Sequence, residues 1–250
     1  MNNLFYKIKR VFANQLIQKR IPINLSHPII TFCFDDIPDS AITNGSRILN
    51  KYGYAGTYYV CMNLSANNDA SKPYFNHSLL KQLVANGEEI ACHTADHITL
   101  YNIGRQKLLR NLKKNQQQLN ELIPGYKLKN FSYPRGQQTF RSKYILKKVY
   151  QSARGVKAGM HIEDVDVYNL YANELLGDST LEDFYALIDK AIEHNAWLIF
   201  YTHEVEENPS KYGCTPEDFE AIVKYCADRK LNVHTIDKAI STILMNANQN

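Results

Sequence analysis

Residues 28–36 read PIITFCFDD. From Pro28 to Phe34 the run is uncharged and mostly apolar, and it ends on two aspartates. A strand without polar alternation is buried on both faces, as in a parallel sheet covered by helices. Working outward, similar stretches recur at 57–61, 89–92, 130–133, 152–156, 196–202 and 231–235. Helical spacing between them predicts helices over 41–51, 78–85, 104–122, 141–150, 181–195, 216–229 and 236–245. Gly53, Gly87 and Pro124-Gly125 act as stops, and Thr215 as an N-cap. Seven strands, each followed by a helix, predict an α/β fold. The form expected is an irregular (β/α) barrel with about seven parallel strands, an open doubly wound sheet being the alternative. Residues 62–76 read as a polar loop, and 157–178 show no regular pattern.

The 250 residues are 44% hydrophobic and 22% charged, which excludes fibrous, coiled-coil and disordered classes. No apolar run approaches the roughly 18 residues that span a bilayer. No GxGxxG, GxxxxGK[ST] or GxSxG occurs, so nucleotide-binding and serine-hydrolase readings have no motif. Cys33, Cys61, Cys92, Cys214 and Cys226 lie far apart with no CxxC pair, which reads as core thiols in a reducing compartment.

Residues 1–20 hold Lys7, Lys9, Arg10, Lys19 and Arg20 and no acid, and the remaining 230 residues balance 24 basic against 25 acidic side chains. A body this close to neutral argues against a nucleic-acid partner. Leu4, Phe5, Ile8, Val11, Phe12 and Leu16 recur at helical spacing among the basic residues. They predict an N-terminal amphipathic helix that packs on the body or lies on an anionic membrane surface. The basic residues interrupt any signal-peptide core, so a cytoplasmic location is expected, peripheral at the inner membrane face. Residues 1–25 are thus read as a basic segment and 26–245 as the catalytic domain.

In a parallel α/β fold, functional groups gather at the carboxyl ends of strands. Asp35-Asp36, His93-Thr-Ala-Asp-His97, Tyr133-Pro134-Arg135-Gly136 and His203 all fall at such ends. His93 and His97, four apart, would share one face of a helical turn within reach of one metal, and Asp36 can supply an oxygen ligand. Two His and one carboxylate with open positions is a hydrolytic arrangement. Of the two aspartates, one would bind metal and the other act as base. His203, at the mouth of a buried strand, is a candidate general acid. Tyr133 and Tyr201 are placed to stack on sugar rings.

These residues together resemble the polysaccharide deacetylases of carbohydrate esterase family 4, the NodB-homology domain. TFCFDD at 31–36 is similar to the family's T-F-D-D, HTADH at 93–97 to H-[ST]-x-x-H, FSYPRG at 131–136 to F-x-x-P-Y-G, and FYTH at 200–203 to L-x-x-H. The resemblance implies one divalent metal, Zn2+ first, with Co2+, Ni2+ or Mn2+ as alternatives, held by Asp36, His93 and His97. It implies Asp35 as general base, His203 as general acid and the Arg135 backbone N–H as an oxyanion donor. Pro134, Tyr133, Tyr201 and Arg154 complete the expected oxyanion and substrate set.

Three departures stand out. Ile37 replaces the Gly that usually follows the aspartate pair. Ser132 replaces the Arg that orients the base, with Arg154 or Arg135 as substitutes. No clear Asp supports His203, Asp164 and Asp166 being the candidates by region.

The activity implied is metal-dependent removal of an N-acetyl group from an amino sugar in a glycan or a lipid-linked intermediate. An O-acetyl esterase, a cyclic amide or ureide hydrolase, and a non-catalytic glycan-binding protein are the alternatives.

Overall fold

The computed structural model describes residues 17–64, 74–175 and 179–247. Among them the chain opens with β1 (Arg20–Pro22) and continues with β2 (Ile29–Asp35), β3 (Thr57–Val60), β4 (Glu89–Cys92), β5 (Asn130–Ser132) and β6 (Ser152–Arg154). Then come β7 (Met160–His161), β8 (Asp164–Asp166), β9 (Asn173–Glu174), β10 (Trp197–Thr202) and β11 (Asn232–Val233). The helices are α1 (Arg47–Lys51), α2 (His77–Ala85), α3 (Arg105–Leu122), α4 (Phe140–Leu146), α5 (Leu181–Glu193), α6 (Pro216–Asp228) and α7 (Ile236–Ala247). A π-helical turn, Ala41–Ser46, leads into α1. The seven strands predicted from apolar runs are β2 to β6, β10 and β11.

The main sheet runs β6-β5-β4-β3-β2-β10-β7. Its neighbours are parallel except β10 and β7, which are antiparallel. On one side of β2, Cys33–Asp35 pair with β3 while Ile29 and Ile30 pair with β11. All seven residues of β2 and all six of β10 are buried, which the unbroken apolar runs demand. Phe34 stacks on Tyr58 at 4.5 Å, and Phe32 lies 5.8 Å from Phe200, so aromatic rings fill the space around β2. Each such buried ring stabilises the fold by roughly 1.5–3 kcal/mol.

The barrel closes through the stretch that showed no pattern. The Leu170 N–H donates to Ala153 O (3.1 Å), and the Gly155 N–H donates to Leu170 O (2.9 Å). Three residues on, β9 begins and pairs with Phe200 and Tyr201 of β10. Residues 170–175 therefore bridge β6 to β10, and the barrel is irregular because this bridge replaces a full strand.

Several boundaries shift for local reasons. Helix α4 begins at Phe140 because Thr139 and Ser142 form a capping box, and it ends at Leu146 in successive turns instead of continuing to Tyr150. Strand β1 pairs antiparallel with β8, and Ile21 and Ile23 enter the core. The amphipathic helix expected over 1–20 falls outside the described residues up to residue 16. All five cysteines are free and buried.

Candidate active site

Neighbouring strand residues point to opposite faces, so Asp35 and Asp36 need a break in the strand to face one cavity. The break is at Asp36 itself, with φ 60°, followed by Ile37 at φ 51°. Two consecutive left-handed residues without glycine are strained, most of all at a β-branched side chain. Ile37 is fully buried, and its carbonyl accepts from Phe75 N–H (3.1 Å), which holds the turn.

The segment His93–His97 is a folded loop and not the helical turn expected from its spacing. Thr94 (φ 66°) and His97 (φ 46°) are left-handed. Asn111 of α3 accepts the Ala95 N–H through Oδ1 (2.8 Å), and Asn115, one turn on, accepts the Met62 N–H (2.9 Å) and donates to Val60 O (2.9 Å). The loop still brings the two imidazoles together, with ring centroids 5.1 Å apart.

Asp36 Oδ1 lies 3.8 Å from Nε2 of both His93 and His97, and the three ligand atoms all fall within 4.8 Å of one another. His93 Nδ1 lies 3.0 Å from Ser132 O, which fixes the proton on Nδ1 and leaves the Nε2 lone pair facing Asp36. Burial, with His93 beside it, holds His97 down to about 4 against the pull of Asp36, so its ring is neutral near pH 7. Two imidazoles and a carboxylate fit the donor set of a divalent transition metal. The Cys61 thiol donates to Asp36 Oδ1 (3.6 Å) and to His93 O (3.0 Å), tying the end of β3 to the triad.

Asp35 is 5% exposed. Burial alone would raise its carboxyl, but Arg154, His93 and His203 outweigh it and lower the group to about 2. The Arg154 guanidinium, on β6, pairs through Nη2 with Asp35 Oδ1 and donates from Nη1 to Gly155 O (2.9 Å). It is held between the rings of Tyr59 (4.9 Å) and Tyr201 (4.7 Å). Arg154 is buried behind the aspartate and does not line the cavity, so it reaches the base and not the substrate. Ser132 Oγ touches both His93 Nδ1 and Asp35, the latter at 3.4 Å.

A cavity of about 1040 Å3 lies over these groups, lined among others by Asp35, His97, Arg135, Tyr201 and His203. His203 Nδ1 lies 3.2 Å from the Tyr212 carbonyl, which leaves Nε2 free. That support comes from a loop folded onto Glu204, where a Cβ at Gly213 would stand 2.4 Å from Glu204 Cγ. Asp164 and Asp166 do not reach His203. Asp164 pairs with Arg20 (3.3 Å) and Asp166 with Lys143 (3.4 Å), where they hold β1 and β8.

Arg135 is left-handed (φ 57°) and exposed, and its N–H meets no acceptor among the described residues. Tyr133 lines the cavity, but its hydroxyl donates to Tyr168 O (3.0 Å) and so is not free for a substrate. Pro134 is buried and off the cavity, where it shapes the turn. Tyr201 donates to Glu174 Oε1 (2.5 Å), a cavity residue that no motif marks. Cys61, Glu174 and Tyr212 were missed because they sit outside the four motifs. Tyr212 contributes its carbonyl, which leaves no trace in the sequence, and a ring 5.5 Å from that of His203.

Residues 23–152, more than half of the chain, match the family model for polysaccharide deacetylases. The chain belongs to the polysaccharide deacetylase family. Among solved structures its fold is similar to PdaA of Bacillus subtilis, a family 4 carbohydrate esterase, with TM-score 0.63, 14% identity and coverage of 94% of this chain and 89% of that one. It is also similar to a family 4 acetyl xylan esterase of Clostridium thermocellum in complex with a cobalt ion, with TM-score 0.60, 18% identity and 86% and 91% coverage. A pseudoenzyme of the same family from Bacillus anthracis matches with TM-score 0.59 at 11% identity over 87% of this chain and 67% of its own. At these identities the likeness is one of fold. No curated protein matches the chain by sequence.

Proposed function

We propose that this polysaccharide deacetylase is a metal-dependent hydrolase that removes the N-acetyl group from an amino sugar in a glycan or glycolipid. The observation that carries the reading is the convergence of Asp36, His93 and His97 within 4.8 Å beside an ionised, Arg154-held Asp35. Asp36, His93 and His97 would hold a divalent ion, Zn2+ being the best match to two nitrogens and one oxygen. When bound, such an ion supplies Lewis-acid polarisation of an acyl carbonyl and of water.

The chain's own groups divide the remaining work. Asp35 accepts a proton from the attacking water, and Arg154 and Ser132 fix the direction of its carboxylate. The unused Arg135 N–H donates to the oxyanion that forms as the carbonyl carbon becomes tetrahedral. An amine leaves poorly unless protonated, and His203 Nε2, freed by the Tyr212 carbonyl at Nδ1, delivers that proton.

The test is acetate release from matched N-acetyl and O-acetyl sugar substrates, with wild type and His203→Ala. Loss of about 10²–10⁴ in kcat on the amide is expected. A much smaller loss is expected on the ester, whose alkoxide needs less protonation. Turnover of esters alone would replace the reading with an O-acetyl esterase. No turnover of either substrate by a metal-loaded protein would favour a non-catalytic glycan-binding role.

A further inference from the structure

Charge is sorted along this chain. Residues 97–162 hold 14 of the 29 Lys and Arg but one of the 25 Asp and Glu, Glu121, while residues 163–250 hold six and 17. The near-neutral body therefore has two poles. Seven of the 14 basic residues lie on α3 and α4, which pack against each other, and Lys147 and Lys148 follow directly on α4. Arg141 Nη1 donates to Ile103 O (3.4 Å) just ahead of α3. Lys114 pairs with Asp96 and the buried Lys143 with Asp166. Among the described residues, Arg105, Arg141, Lys147 and Lys148 face no carboxylate.

The same face exposes apolar groups. Phe140 is 63% exposed, and Tyr144 and Val149 are each 45% exposed, three large hydrophobics within ten residues. Lys148 and Lys147 lie over the Tyr144 ring at 4.4 and 5.1 Å. In the chain the patch starts four residues after Gly136 of the cavity lining, at Phe140.

We propose that this α3–α4 face docks on an anionic lipid surface. Basic residues interleaved with exposed aromatic and aliphatic side chains suit an interface that is charged above and apolar below. A soluble polyanion would be met by the charge alone. Val149 has nothing to offer a phosphate or a sugar ring but is stabilised at an acyl boundary. None of these residues is a metal-ligand or acid–base candidate, so the surface stands or falls apart from the proposed chemistry.

Full-length protein is sedimented with vesicles of phosphatidylcholine alone or mixed with phosphatidylglycerol. Wild type should bind the mixed vesicles only, and less in high salt. Arg141→Glu/Lys147→Glu/Lys148→Glu should bind more than tenfold more weakly, since each basic residue near such a surface counts about fivefold. Phe140→Ser/Val149→Ser should bind several-fold more weakly. Unchanged melting temperature and zinc content in the variants show that fold and triad are intact. Equal binding by the charge-reversed variant and wild type overturns the proposal, including the case where only removal of residues 1–16 abolishes binding. So does wild type that ignores vesicles, whether or not a heparin column retains it.

Discussion

Arg154 holds Asp35 from a strand far away in sequence, and both are almost wholly buried. Removing one member of a buried pair leaves the other charge uncompensated, which costs about 3–5 kcal/mol. Arg154→Met should therefore lower the denaturation midpoint and cut kcat by about 10², the scale of a misdirected catalytic group. A second readout separates positioning from packing. Arg154 is the strongest of the groups that offset the burial of Asp35 and hold its carboxyl near 2. A depressed carboxyl contributes stability above its unfolded value that is lost as pH falls through the folded one. Without Arg154 the Asp35 carboxyl rises, so the acid limb of the pH–activity profile should move to higher pH. An unmoved acid limb in an active Met variant would remove Arg154 from this role. At this scale the sequence was legible where a motif departed from pattern. Ser132 marked a missing arginine, and Ile37 stands where glycine is usual and takes the left-handed backbone that glycine would supply. A backbone carbonyl such as that of Tyr212 carries no residue signature, so the partner of His203 was not legible.

At the scale of elements, α3 acts as a clamp on the ligand-bearing loop. Its buried Asn111 and Asn115, four apart, face the barrel: Asn111 binds the Ala95 N–H inside the loop, and Asn115 binds Val60 and Met62 at the end of β3 and Cys92 Sγ just ahead of His93. Buried amides at those positions look unfavourable in a helix until their partners are known. Outer partners of this kind tune metal affinity by 10–100-fold. Asn115→Leu, similar in shape but without donor or acceptor, should weaken Zn2+ binding by that order in a competition titration. A variant that loses stability but binds Zn2+ as tightly as wild type would limit Asn115 to a structural role. Long apolar strands and amphipathic helices were readable because burial on a fixed period leaves a pattern. Strands β7 and β9 have two residues each, too few to show any period, and the fold of residues 157–178 is set by contacts with β6 and β10 instead.

Across the whole molecule, two buried groups set opposing responses of stability to pH. Glu88 is 4% exposed and meets no cation among the described residues. Burial pushes it up to about 7, although Ser46 Oγ (2.6 Å), Asn50 Nδ2 (2.7 Å) and the Gly56 N–H all donate to it. Its folded value lies above the unfolded one of 4.5, so its contribution is present below pH 4.5 and is lost as pH rises toward 7. His161 lies between the Trp197 and Tyr171 rings and accepts the Tyr171 N–H at Nε2 (3.0 Å). Burial, with Lys157 adding to it, lowers His161 to about 3 from 6.5. The unfolded chain takes up that proton first, so this contribution is present above pH 6.5 and is lost as pH falls toward 3. Between pH 4.5 and 6.5 the two slopes have opposite sign and nearly cancel. Glu88→Gln should therefore unmask a rise in stability across that window relative to wild type, and His161→Phe a fall. Each difference is at most about 2–3 kcal/mol over two pH units. Urea midpoints at the two ends of the window measure both. A constant offset at every pH reports only the altered packing or hydrogen bonding. If neither variant changes the slope, these groups titrate alike in the folded and unfolded chains, and burial is not what governs the acid response of the barrel.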